Sequence, residues 1–170
     1  CSALTAAHEA KDAKGRPLQL VHRDVSPPNV LLSYSGAVKL TDFGIAKVAM
    51  REKQTRAGVV KGKFVYLSPE QALGNPVDAR ADVYALGLVL FEATVGRRAN
   101  PGVVEVEQVY AASQGRVLDP AEVHERYPEE LRQIYYRASC VDVAQRFQSA
   151  RELQQALVRF AGRHEMMVSS

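Results

Sequence analysis

Apolar residues along the chain follow two patterns. Up to about residue 70 they come in short, irregular clusters, and from Asp78 onward they recur at helical spacing. Residues 2–14 (SALTAAHEAKDAK) are Ala-rich, with Leu4, Ala7 and His8 on one face. They predict the end of a helix closed by Gly15, with Arg16–Pro17 as its breaker. Short runs at Leu20–Val21, Val30–Leu32 and Val38–Leu40 lie between polar and turn residues and predict short strands. Ser35–Gly36 has the composition of a hairpin turn between the last two. Residues 45–69 have little periodicity and many Lys, Arg and Gly, which predicts a long irregular loop. Loops of that length inside a compact domain are usually functional.

The second pattern predicts an α-helical region. Val83, Leu86 and Leu90, flanked by Ala85, Val89 and Phe91, make a helix apolar nearly all round, hence buried, and Gly96 ends it. Weaker helical patterns cover 103–113, 128–139 and 149–161, the last with Leu153, Ala156, Leu157 and Phe160 at helical spacing. The expected fold class is mainly α with short β-hairpins, one domain over residues 1–162, and a frayed tail over 163–170.

Composition narrows the function. Apolar residues are 46% and charged residues 24% of 170, ordinary for one soluble globular domain. A net charge of +3, evenly spread, argues against a nucleic-acid partner. No run approaches the ~18 apolar residues of a membrane helix. Cys1 and Cys140 have neither metal-ligand spacing nor a disulfide framework, which fits a reducing cytoplasm. The chain opens on Cys1 in mid-pattern, as expected of a piece cut from something longer.

Three segments carry chemistry. The first is His22-Arg23-Asp24-Val25-Ser26-Pro27-Pro28-Asn29, the second Asp42-Phe43-Gly44, the third Ser68-Pro69-Glu70. Any one tripeptide arises often by chance. Together, in this order and ahead of a buried helix, they resemble the catalytic loop (H-R-D with a following N), the D-F-G motif and the A-P-E motif of protein kinases. Small-molecule kinases of the aminoglycoside and choline type share the loop Asp and Asn. They do not carry an A-P-E-like segment ahead of a helix reading Asp82-Val83-Tyr84-Ala85-Leu86-Gly87. The run from Gly62 to Gln71, with Arg146-Phe147-Gln148-Ser149-Ala150, is most similar to bacterial Ser/Thr kinases of the eukaryotic type.

The resemblance implies a role for each matching residue. ATP and Mg2+ would be the cofactors and a protein hydroxyl the acceptor. Phosphoryl transfer chiefly needs placement and charge neutralisation. Asp24 would take the hydroxyl's proton, while Asn29 and Asp42 would bind magnesium through hard oxygen atoms. Leu31 would lie beneath the adenine and Thr41 beside it. Arg23 would anchor the activation segment, residues 42–70, and Thr55 would be its phosphosite. Glu70 and Arg146 are expected to form a buried ion pair. Asp82 is expected to accept backbone N–H groups near His22 and Arg23, with His22 stacked on Phe43. Ser26 stands where Ser/Thr kinases usually place a Lys, and Lys63 where they usually have a Thr. The two look exchanged, with Lys63 reaching Asp24 from the activation segment. Ser68 replaces Ala of A-P-E, and Val143 a frequent Pro.

Residues 1–20 hold no Gly-rich loop, no V-A-I-K-type lysine and no partner glutamate. The resemblance therefore implies a kinase C-lobe with the N-lobe absent, inactive by itself. Its apolar face would be open to the missing N-lobe or to self-association. The competing reading is a catalytically dead, kinase-like interaction module, against which the trio Asp24, Asn29 and Asp42 argues. Other candidates have plain readings. His8–Glu9 reads as solvated surface, His124 and His164 lack sequence partners, and Arg97–Arg98 caps the buried helix or docks substrate.

Overall fold

Between residues 79 and 95 so few positions are polar that no side of a helix built from them suits water, and that helix becomes the centre of the protein. In the computed structural model, which describes residues 1–43 and 64–164, the helices are α1 Ser2–His8, α2 Pro69–Ala72, α3 Ala79–Val95, α4 Glu105–Ser113, α5 Pro120–Val123, α6 Glu129–Ala138 and α7 Ala150–Arg163. One antiparallel hairpin, β1 Val30–Leu32 with β2 Val38–Leu40, pairs Val30 with Leu40 and Leu32 with Val38. Short 3-10 turns cover Pro27–Asn29 and Phe64–Tyr66. The fold is mostly helical with one small two-stranded sheet.

α3 contributes to each of three packed clusters. Val83 meets Leu131, Ile134, Phe147, Leu153 and Phe160 from α6, α7 and the loop between them. Tyr84, Leu88 and Phe91 pack with Val65, Tyr66, Ala99 and Tyr135. Ala85 packs with Leu4, Val25 and Ala150. The Asp78 carboxylate accepts the Arg80 N–H at the start of α3, and Gly96 closes it at φ 78°, a left-handed conformation that costs glycine little. Gly87 touches Ala138 so closely that a Cβ there would lie 2.9 Å from the alanine methyl, so α3 and α6 meet backbone against backbone.

Several predicted elements change. α1 ends at His8 rather than running to residue 14. The Asp12 carboxylate takes the N–H groups of Lys14 and Arg16, at 2.8 and 2.9 Å, and its amide donates to Arg16 O. This local turn competes with continued helix, and Gly15 serves it at φ 79°. Leu20–Val21 forms no strand, because Gln19 is left-handed at φ 49° and ends the extended run before it. Residues 64–69 are not irregular: a 3-10 turn leads into α2, which Ser68 caps. α5 was not foreseen, and α7 continues through Gly162 to Arg163. The His8 side chain is 8% exposed rather than solvated, its ring Nε2 lying 2.8 Å from Asp82. His164 bonds the Phe160 carbonyl at 2.9 Å and stacks on the Phe160 ring.

Two buried charges tie the helical body to the segments that resemble kinase motifs. The Arg146 guanidinium is fully buried and donates all five of its N–H bonds. Two go to the Glu70 carboxylate at 2.8 Å each, and the rest to the carbonyls of Cys140, Arg80 and Val141. It also lies 4.9 Å from the centre of the Tyr84 ring. The Asp82 side chain is 1% exposed. It accepts the backbone N–H of His22 at 2.7 Å and of Arg23 at 2.8 Å. Helix α3 thus holds that loop from below.

Each charge makes a prediction. Burial alone would raise the Glu70 carboxyl, but the Arg146 bonds and charge, together with the Glu70 backbone N–H and the Ser68 hydroxyl, outweigh it and hold the group below its ordinary range. A depressed carboxyl stabilises the fold above its unfolded value of about 4.3, and that stability is lost as pH falls through the lower folded value. Glu70→Ala should cost about 3–5 kcal/mol at neutral pH, since Arg146 is left buried and unpaired. It should also flatten the acid limb of a plot of unfolding free energy against pH; denaturant melts from pH 3 to 7 check both. For Asp82→Asn, one amide N–H must face a backbone donor, at a cost of about 1–3 kcal/mol. Equal midpoints for wild type and Asp82→Asn in the same melts would refute that account of the buried carboxylate.

Candidate active site

The loop following residue 21 is shaped by its own side chains. The Asp24 N–H donates to His22 Nδ1 at 3.2 Å, which leaves the ring proton on Nε2 to reach the Thr41 carbonyl at 2.9 Å. One imidazole therefore joins the loop to the far end of the hairpin, and it stacks on Phe43 with centroids 4.6 Å apart. Arg23, between His22 and Asp24, is left-handed at φ 65°. A long side chain there costs about 1–3 kcal/mol and persists only where its surroundings over-determine it. Here Asp82 takes the Arg23 N–H, and the Gln71 side-chain amide donates to the Arg23 carbonyl at 3.0 Å.

Asn29 closes the loop. Its amide nitrogen donates to the Asp24 carbonyl at 2.7 Å and to the Asp24 carboxylate at 3.2 Å. Both amide hydrogens are then used, and Oδ1 is the atom left to face a cation. The Thr41 N–H extends the hairpin ladder by donating to Asn29 O at 2.9 Å. Asn29 and Asp42 thus emerge together from the open end of β1 and β2. Asp42 is exposed and left-handed at φ 56°, a conformation Asp tolerates better than Arg.

A magnesium ion fits this donor set. Among the described residues no three His, Cys, Asp or Glu side chains gather into a metal cage. Mg2+ does not need one, because it is commonly held by one or two protein oxygens together with substrate phosphates and water. Asn29 Oδ1 and the Asp42 carboxylate are hard oxygens of that kind.

Other expected site residues have simple placements. Leu31 is 53% exposed on the hairpin, where Leu32, Tyr34 and Val38 are exposed as well. Ser26 is 3% exposed and its hydroxyl turns toward the Asp24 carbonyl at 3.5 Å, so it projects little into the cleft. Thr55 and Lys63, with Gly44, lie outside the described residues. The Ser68 hydroxyl caps α2 and contacts Gln71, whose side chain bonds back to the Ser68 N–H at 3.1 Å. Tyr66 donates its hydroxyl to Glu92, and burial with that carboxylate pushes the phenol well above its ordinary value.

Sequence reasoning did not single out Gln71 and read His8 as solvated surface. Gln71 had a readable signal, since Ser68-Pro69-Glu70-Gln71 has the spacing of a capping box. His8 had none, because only the fold brings it to Asp82.

Comparison with known proteins agrees with this geometry. The protein kinase domain family matches residues 2–158. The tyrosine-protein kinase MasK of Myxococcus xanthus is 43% identical over 158 residues, covering 93% of this chain and 24% of the relative. The serine/threonine-protein kinase PknB of Mycobacterium leprae is 36% identical over 160 residues, 94% of this chain and 24% of the relative. A probable serine/threonine-protein kinase PknB of Lactococcus lactis is 34% identical over 134 residues, 79% and 21%. The chain spans about a quarter of the length of these relatives. No helix among the described residues is long and apolar enough to cross a membrane. A loop ordered around Asp24, an Asn29 and Asp42 pair at a hairpin mouth, and a family match over nearly the whole chain all agree: the chain belongs to the protein kinase domain family.

Proposed function

We propose that this chain is the C-terminal lobe of an ATP-dependent protein kinase that transfers the γ-phosphate to a Ser or Thr hydroxyl, with residues outside it completing the nucleotide site. The observation that carries this reading is the Asn29 amide bonded to both the carbonyl and the carboxylate of Asp24, at the hairpin end from which Asp42 projects. Bound ATP would supply the phosphoryl group, and Mg2+ on Asn29 and Asp42 would neutralise its charge. Asp24 orients the acceptor hydroxyl and receives its proton. Leu31 and Thr41 line the adenine side, and the exposed apolar hairpin surface faces the N-lobe or a second copy. Arg23 pairs with phosphorylated Thr55, and Lys63 supplies near Asp24 the cation that Ser26 does not. The helical body keeps the loop in register and takes no part in the chemistry. A soluble, cytoplasmic setting accompanies this reading.

Acceptor choice is the finer question. The PknB relatives are named serine/threonine kinases and MasK a tyrosine kinase, so peptides bearing Ser, Thr or Tyr should be assayed side by side; exclusive Tyr transfer would refute the Ser/Thr assignment.

In the full-length protein, Asp24→Asn should lower kcat by about 10²- to 10⁴-fold, the usual span for a general base, with little change in thermal midpoint. Asp42→Asn should raise the Mg2+ concentration needed for half-maximal rate. Transfer that survives Asp24→Asn undiminished would refute Asp24 as the base, and a full-length wild type that transfers none would point to the inert interaction module instead.

Residues 1–170 alone should transfer no phosphate, because the lysine that holds the phosphates in this family is supplied from elsewhere. A radiolabelled-ATP assay in which the purified chain exceeds its Asp24→Asn background would contradict the C-lobe reading.

A further inference from the structure

The peptide unit between Arg23 and Asp24 sets the direction of the Asp24 side chain, because it is planar and turns as one piece. It is held at both polar ends. The Asp24 N–H donates to His22 Nδ1 at 3.2 Å, and the Arg23 carbonyl accepts from Gln71 Nε2 at 3.0 Å. The two groups point to opposite sides of the peptide, so rotating its plane breaks both bonds together. His22 belongs to the same loop and moves with it. Gln71 stands on α2, 48 residues along the chain, and anchors the peptide from outside the loop.

Glutamine suits this place for its N–H. Gln71 is 8% exposed and lines one small cavity with Arg23, Asp24, Tyr66 and Leu67. An apolar side chain of equal length would fill the same space without donating to the Arg23 carbonyl, and a carboxylate would set oxygen against oxygen. Ser68 decides which end of the amide faces the loop. A backbone N–H only donates, so the Ser68 N–H, 3.1 Å from Gln71 Oε1, requires the amide oxygen on its side. The Ser68 hydroxyl gives Oε1 a second donor at 3.2 Å while accepting the Gln71 N–H at 3.4 Å. Oε1 is thereby engaged in the capping box of α2, and Nε2 is turned toward Arg23. The alanine usual in A-P-E has no hydroxyl with which to do this.

We propose that Ser68 and Gln71 are a matched pair of positioning residues for phosphoryl transfer: Ser68 orients the Gln71 amide, and Gln71 fixes the peptide between Arg23 and Asp24 and so aims the Asp24 carboxylate at the acceptor hydroxyl. Asp82 holds the preceding peptide through the Arg23 N–H, so the two anchors act on successive planes. The effect of the pair runs through Asp24 alone. The inference rests on the kinase reading and deepens it.

The experiment compares wild type, Gln71→Met, Ser68→Ala and the double variant in the full-length protein, with Asp24→Asn as the inactive control. Gln71→Met should lower kcat by about 10- to 100-fold, the scale of a small misplacement of a reacting group, while KM for ATP and for the protein acceptor stays near wild type. It should also quicken hydrogen exchange at the Asp24 N–H. Ser68→Ala should lose less, because the Ser68 N–H still binds Oε1. The double variant should be no slower than Gln71→Met, whereas two independent losses would multiply. A Gln71→Met protein with wild-type kcat or wild-type protection of the Asp24 N–H overturns the proposal, and so does a double variant in which the losses multiply. If Gln71→Met does not fold, the wild-type side-chain amide decides by ¹⁵N NMR: protection of the Gln71 amide hydrogens from exchange supports the proposal, and exchange as fast as in free glutamine overturns it. A wild type that transfers no phosphate fails the kinase reading, and the positioning role with it; wild-type transfer that Gln71→Met leaves intact fails the positioning role alone.

Discussion

A carboxylate with 1% of its surface exposed needs N–H groups around it, and Asp82 finds them in the backbone of another segment. That requirement organises the rest of the site. Helix α3 has to be apolar on its other faces to be buried at all, and Asp82 in its first turn is then directed at the loop above. Loop residues accepted by Asp82 cannot relax to ordinary backbone, which is how Arg23 stays left-handed. A helix offering only apolar side chains at that point would leave the His22 and Arg23 N–H groups unpaired and Asp24 without a defined direction.

Arg146 and Glu70 solve a related problem by other means. The Asp82 cluster joins a side chain to backbone, so it controls conformation. The ion pair joins two side chains 76 residues apart and controls where α2 sits relative to α3 and α6. Its strength comes from completeness, since the guanidinium leaves no donor unused. The two devices meet through α2. Glu70 is bound by Arg146, and one residue later Gln71 donates to the Arg23 carbonyl. Movement of α2 therefore reaches the Asp24 loop through the Gln71 side-chain amide. Ser68, in place of the alanine of A-P-E, strengthens that path by capping α2 and engaging Gln71.

Much of the candidate site was legible because its chemistry demands particular residue types. Asp24, Asn29 and Asp42 are recognisable in the linear chain, and the hairpin that brings the last two together has readable strands and a readable turn. The buried helix was legible for the same reason, since its apolar character needs no partner to be noticed. The misjudged features depend on contacts that the chain does not spell out. The Asp12 carboxylate diverts residues 12–16 from helix to turn. The left-handed Gln19 denies Leu20 and Val21 an extended partner. The burial of His8 depends on Asp82, 74 residues away.

The two left-handed residues at the site differ in how they are held, and the difference fits the separate tasks proposed for Asp24 and Asp42. Arg23 is fixed at both ends of its peptide frame, N–H by Asp82 and carbonyl by Gln71. Among the described residues Asp42 has no such clamp: the hairpin delivers it through the Thr41 bond to Asn29, and the residue is exposed. A group that must accept a proton in one direction needs its backbone locked. A group that binds a hydrated cation gains from a carboxylate able to adjust to the ion and its waters. The strain is thus concentrated one residue before Asp24, where angular error matters most, and it is relaxed where coordination can absorb it.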